Sequence, residues 1–420
     1  MVYLISIATG LSTLFNFIVQ TLLAREFGLG YSIDIYLVAL SFPTFIIALI
    51  SSGYSYGLVP ELVQVSKNPE IKLLVQVLLL FSFLIAIFCF LLIFLINFQV
   101  NSNQSFFGFE IKEKNNLFIF AWFYGGFQII LSSVITILNS EKKYLITFFF
   151  LIISQTGILL PLVFLDEPKI DTVMMGLLFG SFFGACFGLY YISKHLKNIF
   201  ELTKNLILIN LKKISSNMII GIVASSMFGI YVVIDMILAP SEGEGTLATL
   251  GYAQRIIIGF GNISIYGVFM ISSPELKELL LTKGLISFKK HLWNLTSKAF
   301  LLSFLTSLGI YFFIEIFIEI FFKSDNFIER DVILLSEVVK IMLPGMIAML
   351  MTTILTKALF CLANIKNIAL ALGILWPIIY VLGISLSPLE GALKFGSSYT
   401  SSWIIIFLIL IVYFIKRKNV

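Results

Sequence analysis

Apolar runs of about 20 residues recur along this chain from one end to the other, and each is long enough to cross a hydrocarbon core of ~30 Å as a helix. The spans fall at 2–24, 35–59, 74–97, 117–139, 144–165, 172–193, 216–238, 247–272, 298–322, 335–360, 367–387 and 397–415. They predict an all-α membrane protein with about twelve transmembrane helices. Composition agrees: 59% of the residues are hydrophobic, 12% are charged and the mean hydropathy is +1.03, whereas a soluble domain carries roughly a quarter charged residues. The first run, Val2 to Ala24, lacks a basic leader and a small-residue cleavage site, so it reads as a retained first helix. Cys89, Cys186 and Cys361 all fall inside spans without CxxC spacing, and neither a disulfide framework nor a metal site is expected.

Orientation follows from the lysines and arginines of the short loops, which stay on the cytoplasmic side. With the N-terminus inside, the cytoplasmic loops hold Lys67, Lys72, Lys142, Lys143, Lys366, Lys416, Arg417 and Lys418, the five lysines from Lys194 to Lys213 and the five from Lys277 to Lys298. The opposite side holds fewer: Arg25, Lys112, Lys114, Lys169, Lys323, Arg330, Lys340 and Lys394. Both termini are therefore expected in the cytoplasm. The net charge of +5 is explained by this bias, and no nucleic-acid partner is needed to account for it.

Two features divide the chain. The stretch 196–213, "LKNIFELTKNLILINLKK", mixes apolar residues with lysines and suits either a helix lying in the membrane surface or a plain cytoplasmic loop. A shift of 214 residues carries Pro60-Glu61-Leu62 onto Pro274-Glu275-Leu276, Gly53 onto Gly267 and Ala39 onto Ala253. The expected organisation is a six-helix half over 1–195, an amphipathic linker over 196–213 and a second six-helix half over 214–420, pseudo-symmetric around a central cavity. Repeated halves with a site between them are a common plan for secondary transporters.

Ionisable groups inside a bilayer are costly and are functional candidates by default. Arg255 is the clearest: eight residues into its span, it lies roughly 12 Å along the helix at ~1.5 Å per residue. Its planar fork of donors suits a phosphate or carboxylate; a structural pair with Asp235 is the alternative. Arg25 and Asp34 flank the loop "AREFGLGYSID", where Gly28 and Gly30 permit a tight turn. Lys357, near the inner end of its span, can snorkel to the headgroups. Glu315 and Glu319 are one turn apart in "IEIFIEIFF", which fits a wetted helix end or an ion-coupling site.

Enzymatic chemistry finds little to stand on. His195 and His291 sit in lysine-rich loops outside any HExxH or triad-like context, GxxxxGK[ST] is absent, and the longest outer loop runs only over 98–116. A transporter without a cofactor is the expectation.

The run "LSTLFNFIVQTLLAREFGLGYSIDIYLVALSFPTF" (11–45), then "SGYSYGLVPEL", resembles the opening of the lipid II flippase (MurJ/MviN) family. Asp235 followed by "GEGTLATLGYAQRIIIGFGNISIYGVFMISSPEL" is similar to that family's seventh and eighth helices, and "TKALFCLANIKN" is a weaker likeness. The wider superfamily includes polysaccharide-unit flippases and multidrug transporters. The resemblance implies that Arg25, Asp34 and Arg255, with Asp235 a weaker candidate, bind the pyrophosphate of an undecaprenyl-linked saccharide. It also implies alternating access in a bacterial cytoplasmic membrane, with lipid-linked oligosaccharide and membrane lipid as partners. Where the family has further arginines, this chain has Thr13, Val19, Ile47 and Ala48, so a less cationic site is expected. The family also has two more helices than the twelve counted here, and both departures favour another lipid-linked saccharide beside lipid II. The alternative on the same scaffold is a multidrug or metabolite/cation antiporter, which would place acidic groups at depth.

Overall fold

The computed structural model describes residues 2–54, 78–91, 115–140, 143–193, 219, 222–223, 226–362 and 366–416. These residues are helical almost throughout. In chain order the helices are α1 (Val2–Phe27), α2 (Tyr31–Gly53), α3 (Leu78–Leu91), α4 (Asn115–Ser140), α5 (Tyr144–Phe164), α6 (Ile170–Tyr191), α7 (Ile230–Leu238), α8 (Thr246–Phe322), α9 (Glu329–Cys361), α10 (Lys366–Leu386) and α11 (Gly391–Lys416). Among the described residues, six segments are long and apolar enough to cross a membrane: Tyr31–Ser51, Asn116–Leu138, Ile170–Tyr191, Thr282–Phe322, Glu329–Leu359 and Gly391–Ile415. The surface-helix segment 196–213 and the repeated Pro60-Glu61-Leu62 lie outside the described residues.

One expectation is corrected. The stretch Lys277 to Lys298, taken above as a loop between two spans, is helical, and α8 runs on through it. The break is a single residue, Gly284, whose φ of 74° lies in the left-handed region. Phe288, Leu292, Thr296 and Ala299 are buried at helical spacing, while Lys283 and Lys290 face outward. The lysines gave a loop-like composition, but the i, i+4 apolar positions between them carried a helix.

The chain packs as two compact units. The first comprises Met1–Thr13, Gln20–Tyr31 and Leu238–Val420; the second comprises Leu14–Val19 and Ser32–Ile237. Within the second, an apolar cluster of Ile50, Tyr54, Leu78, Leu79, Cys89, Trp122, Ile129, Leu131 and Val134 joins α2, α3 and α4. Side-chain hydrogen bonds add to it: Ser51 donates to Ser132 (2.9 Å), Tyr54 and Ser82 share a bond of 2.5 Å, and Gln128 donates to Ser154. Polar links of this kind between helices are expected where lipid, rather than water, is the alternative partner.

Glycine sets the closest approach in this unit. A Cβ on Gly157 of α5 would lie 2.0 Å from the Gly176 carbonyl oxygen of α6, and one on Gly180 would lie 2.5 Å from the Ser154 carbonyl oxygen. The two backbones are thus in direct contact. Gly184 and Gly188, further along the same face of α6, meet Leu131 and Val134 of α4. In the first unit a Cβ on Gly345 of α9 would lie 2.8 Å from the Thr400 Cα of α11. There Thr400 donates to the Ile341 carbonyl (2.7 Å) and Tyr399 to the Met349 sulfur (3.1 Å). Trp376 of α10 packs against Trp403 of α11 at 5.2 Å between ring centroids.

Candidate functional site

The C-terminal end of α1 is held in the first unit by side chains from distant parts of the chain. A helix leaves its last carbonyls without intrahelical partners. Here Ser324 donates to the Arg25 carbonyl (2.8 Å), Asn326 to the Glu26 carbonyl (2.9 Å) and the Tyr252 hydroxyl to the Gly28 carbonyl (3.5 Å). The turn that follows needs glycine at one position. Gly28 has φ 58°, and a Cβ there would lie 2.0 Å from the Asn326 carbonyl oxygen. Gly30, by contrast, has ordinary room and no left-handed backbone, so of the two glycines expected to make the turn only Gly28 is required by it.

The short connector between α7 and α8 supplies two carboxylates that cap helices. Glu244 accepts the Tyr31 N–H at the start of α2 (2.8 Å), and Glu242 accepts from Lys394 Nζ (2.7 Å) and from the Gly391 N–H at the start of α11 (3.4 Å). Acids are favoured at helix N-termini, where unpaired N–H groups and the helix dipole meet them. The Lys394 hydrogen bond outweighs partial burial and holds the Glu242 carboxyl below the usual carboxylate range. Its folded value is therefore lower than its unfolded one. The resulting stabilisation is present above the ordinary carboxylate pKa of ~4.3 and is lost as pH falls through the depressed folded value. Glu242→Gln is accordingly expected to melt earlier than the parent at neutral pH, by an amount worth about 1 kcal/mol or less for a partly exposed pair. The gap should close as pH falls through the depressed folded value in a thermal-melt series of the detergent-purified protein; a gap that stays constant with pH would count against the assignment.

Against this frame the candidate residues fall into separate settings. Arg255 lies on α8, one turn beyond Tyr252, about 13 Å from the helix start at Thr246 by helical rise. Tyr252 is buried edge-on against Phe322 (6.0 Å) and Phe327 (6.3 Å), which fixes this turn of α8. The Arg255 guanidinium donates through Nη1 to the side-chain oxygen of Gln20 on α1. Arg25 lies in the last turn of α1 with its side chain exposed. Gln20, Arg25 and Arg255 thus belong to one unit, and Asp34 and Asp235 belong to the other. Both aspartates are buried, and both are engaged by neighbours.

Glu315 and Glu319 are each paired with a lysine. Lys340 of α9 reaches Glu315 at 3.3 Å, and Lys323 reaches Glu319 at 2.8 Å. All four side chains are partly exposed. The Glu319 hydrogen bond raises the Lys323 pKa.

Sequence reading missed Gln20, Glu242 and Glu244. Gln20 did carry a signal, because an amide in an apolar span calls for a partner. The partner, 235 residues away, could not be read from the chain.

Comparison with known proteins places this arrangement. The sequence model of the family described as lipid II flippase MurJ matches residues 23–420. Among solved structures, the lipid II flippase MurJ in an inward closed conformation superposes with a TM-score of 0.76 at 17% identity, over 98% of this chain and 87% of that one. An inward-facing multidrug resistance transporter of the MATE family gives 0.76 at 13% identity, over 97% and 96%. A MOP superfamily transporter from Pyrococcus furiosus gives 0.69 at 14% identity, over 100% and 96%. No curated protein matches the sequence. At these identities the structures speak for a shared fold alone, whereas the family model spans nearly the whole chain: this protein is a multi-pass membrane protein and belongs to the lipid II flippase MurJ family.

Proposed function

We propose that this chain moves an undecaprenyl-pyrophosphate-linked saccharide from the inner to the outer leaflet of a bacterial cytoplasmic membrane, with Arg255 as the anchor for the pyrophosphate. The observation that carries the reading is the pairing of Arg255 with Gln20. Gln20 is a neutral amide, so this bond orients the guanidinium without cancelling its charge. A cation held in this way inside an apolar helix favours an anionic headgroup, since a guanidinium meets phosphate through parallel charge-assisted hydrogen bonds.

The reading includes transport without covalent chemistry, exposure of the headgroup site to each side in turn, both termini in the cytoplasm, and the organisation into halves at 1–195 and 214–420. Arg25, exposed at the end of α1, fits a role in attracting the headgroup more than in holding it. Asp34 and Asp235 are kept as weaker substrate-site candidates. An antiporter of organic cations would need carboxylates where this chain has Arg255, which is why the lipid-linked anion is preferred.

Reconstitution tests the function directly. Vesicles carrying the purified protein and a fluorescent lipid-linked saccharide are expected to expose that saccharide to an externally added quencher faster than empty vesicles do. Equal rates for a pyrophosphate-linked lipid, set beside clear efflux of an organic cation, would replace this reading with the antiporter.

A further inference from the structure

We propose that Gln20 is a positioning and charge-preserving residue for Arg255: its side-chain oxygen fixes the guanidinium while its neutrality leaves that charge for the phosphate of the cargo. The inference rests on the function proposed above and adds a residue that neither the sequence reading nor the family comparison singles out.

Three observations converge on it. First, the contact is specific in its atoms, with Nη1 of Arg255 donating to the amide oxygen of Gln20 across 235 residues of chain. Second, both side chains project from anchored backbones. The last turn of α1 is tied down by Ser324, Asn326 and Tyr252, and α8 is held at Tyr252 by two edge-on ring contacts just one turn before Arg255. Third, a guanidinium carries five donors in a rigid fork. Gln20 accepts from one of them, so it can set the orientation of the fork without using it up.

An acceptor at position 20 must meet two demands that pull apart. It has to hold a long, flexible side chain in one rotamer, which any good acceptor does. A carboxylate would do so more strongly, as a charge-assisted hydrogen bond is about twice as strong as a neutral one. It would also cancel the field that attracts an anionic headgroup into a poorly hydrated site, where opposite charges interact far more strongly than in bulk water. An amide satisfies the first demand without violating the second. An apolar residue leaves the charge intact but cannot hold the side chain.

This makes the charge at position 20 testable apart from the fold. The probe is inorganic pyrophosphate, titrated against the purified full chain, with the rise in melting temperature as the readout. The parent is expected to be stabilised by pyrophosphate, and Arg255→Ala is expected to lose that response. Gln20→Glu should raise the half-saturating pyrophosphate concentration by about tenfold or more without lowering the melting temperature in the absence of probe, because its bond to Arg255 is stronger. Gln20→Leu should lose the orienting bond and bind more weakly, whereas Gln20→Asn, which keeps a neutral acceptor on a shorter arm, should fall between it and the parent. A purely structural Gln20 predicts a different pattern, with Gln20→Glu as stable as the parent and unchanged in pyrophosphate affinity. That outcome would overturn the proposal, as would a parent whose stabilisation by pyrophosphate survives Arg255→Ala. Failure of the cargo reading looks different again: the pyrophosphate response and its dependence on residue 20 persist, while the reconstituted parent moves no lipid-linked saccharide.

Discussion

Arg255→Ala is expected to abolish translocation of a pyrophosphate-linked saccharide while leaving the purified protein folded and melting within a few degrees of the parent. Charge-assisted hydrogen bonds are worth about 1.5–3 kcal/mol each, and a guanidinium facing phosphate makes a parallel pair. Removing both lowers affinity for the headgroup by about a hundredfold or more. The fold is spared because Arg255 donates to the half-buried Gln20, whose amide can be left to water or a neighbour, and because α8 is anchored independently at Tyr252. Arg255→Lys separates charge from geometry. It keeps the cation but loses the planar fork, so partial transport is expected. Full transport by Arg255→Ala in vesicles, at matched protein incorporation, would remove the anchor from the proposal.

The second large effect is on folding. Gly157→Leu or Gly176→Leu is expected to remove most of the folded protein recovered from membranes, seen as loss of the monodisperse peak in detergent size-exclusion chromatography. Even a methyl on Gly157 would sit 2.0 Å from a backbone carbonyl oxygen, and one on Gly176 would sit 2.2 Å from the Gly157 carbonyl oxygen. Backbone atoms cannot rotate aside as a side-chain tip can, so α5 and α6 would have to separate along their whole contact. Overpacking in soluble cores costs about 1–3 kcal/mol, occasionally more, and a backbone-to-backbone clash belongs at the upper end. Gly309, with nothing within 4 Å of the place its Cβ would take, is the control: Gly309→Leu should be tolerated. Equal recovery of the Gly157 and Gly309 variants would mean that α5 and α6 do not meet backbone to backbone.

The glycine face of α6 shows how much was legible and still unused. Gly176, Gly180, Gly184 and Gly188 recur every fourth residue, the spacing that lets two membrane helices meet backbone to backbone. The pattern announces a packing face; it does not say which helix lies against it. Only the folded chain shows that Gly176 and Gly180 meet α5, that Gly184 meets both α4 and α5, and that Gly188 meets α4. The same limit applies to the lysines of 277–298. Their charge was visible, and was read as a loop, because hydropathy averaged over a window hides an amphipathic helix whose buried residues are Phe288, Leu292 and Ala299.

What the sequence determined by itself was the solvent and the architecture. Long apolar runs have one stable answer in lipid, a bundle of helices, because unpaired backbone groups are too costly there. The place of Arg255 along its helix follows from counting along one such run. Tertiary structure alone decided what meets that arginine. A hydrogen bond between residues 20 and 255 depends on how α1 and α8 are rotated and staggered, and those quantities are set by packing summed over many distant contacts rather than by any local pattern in the chain.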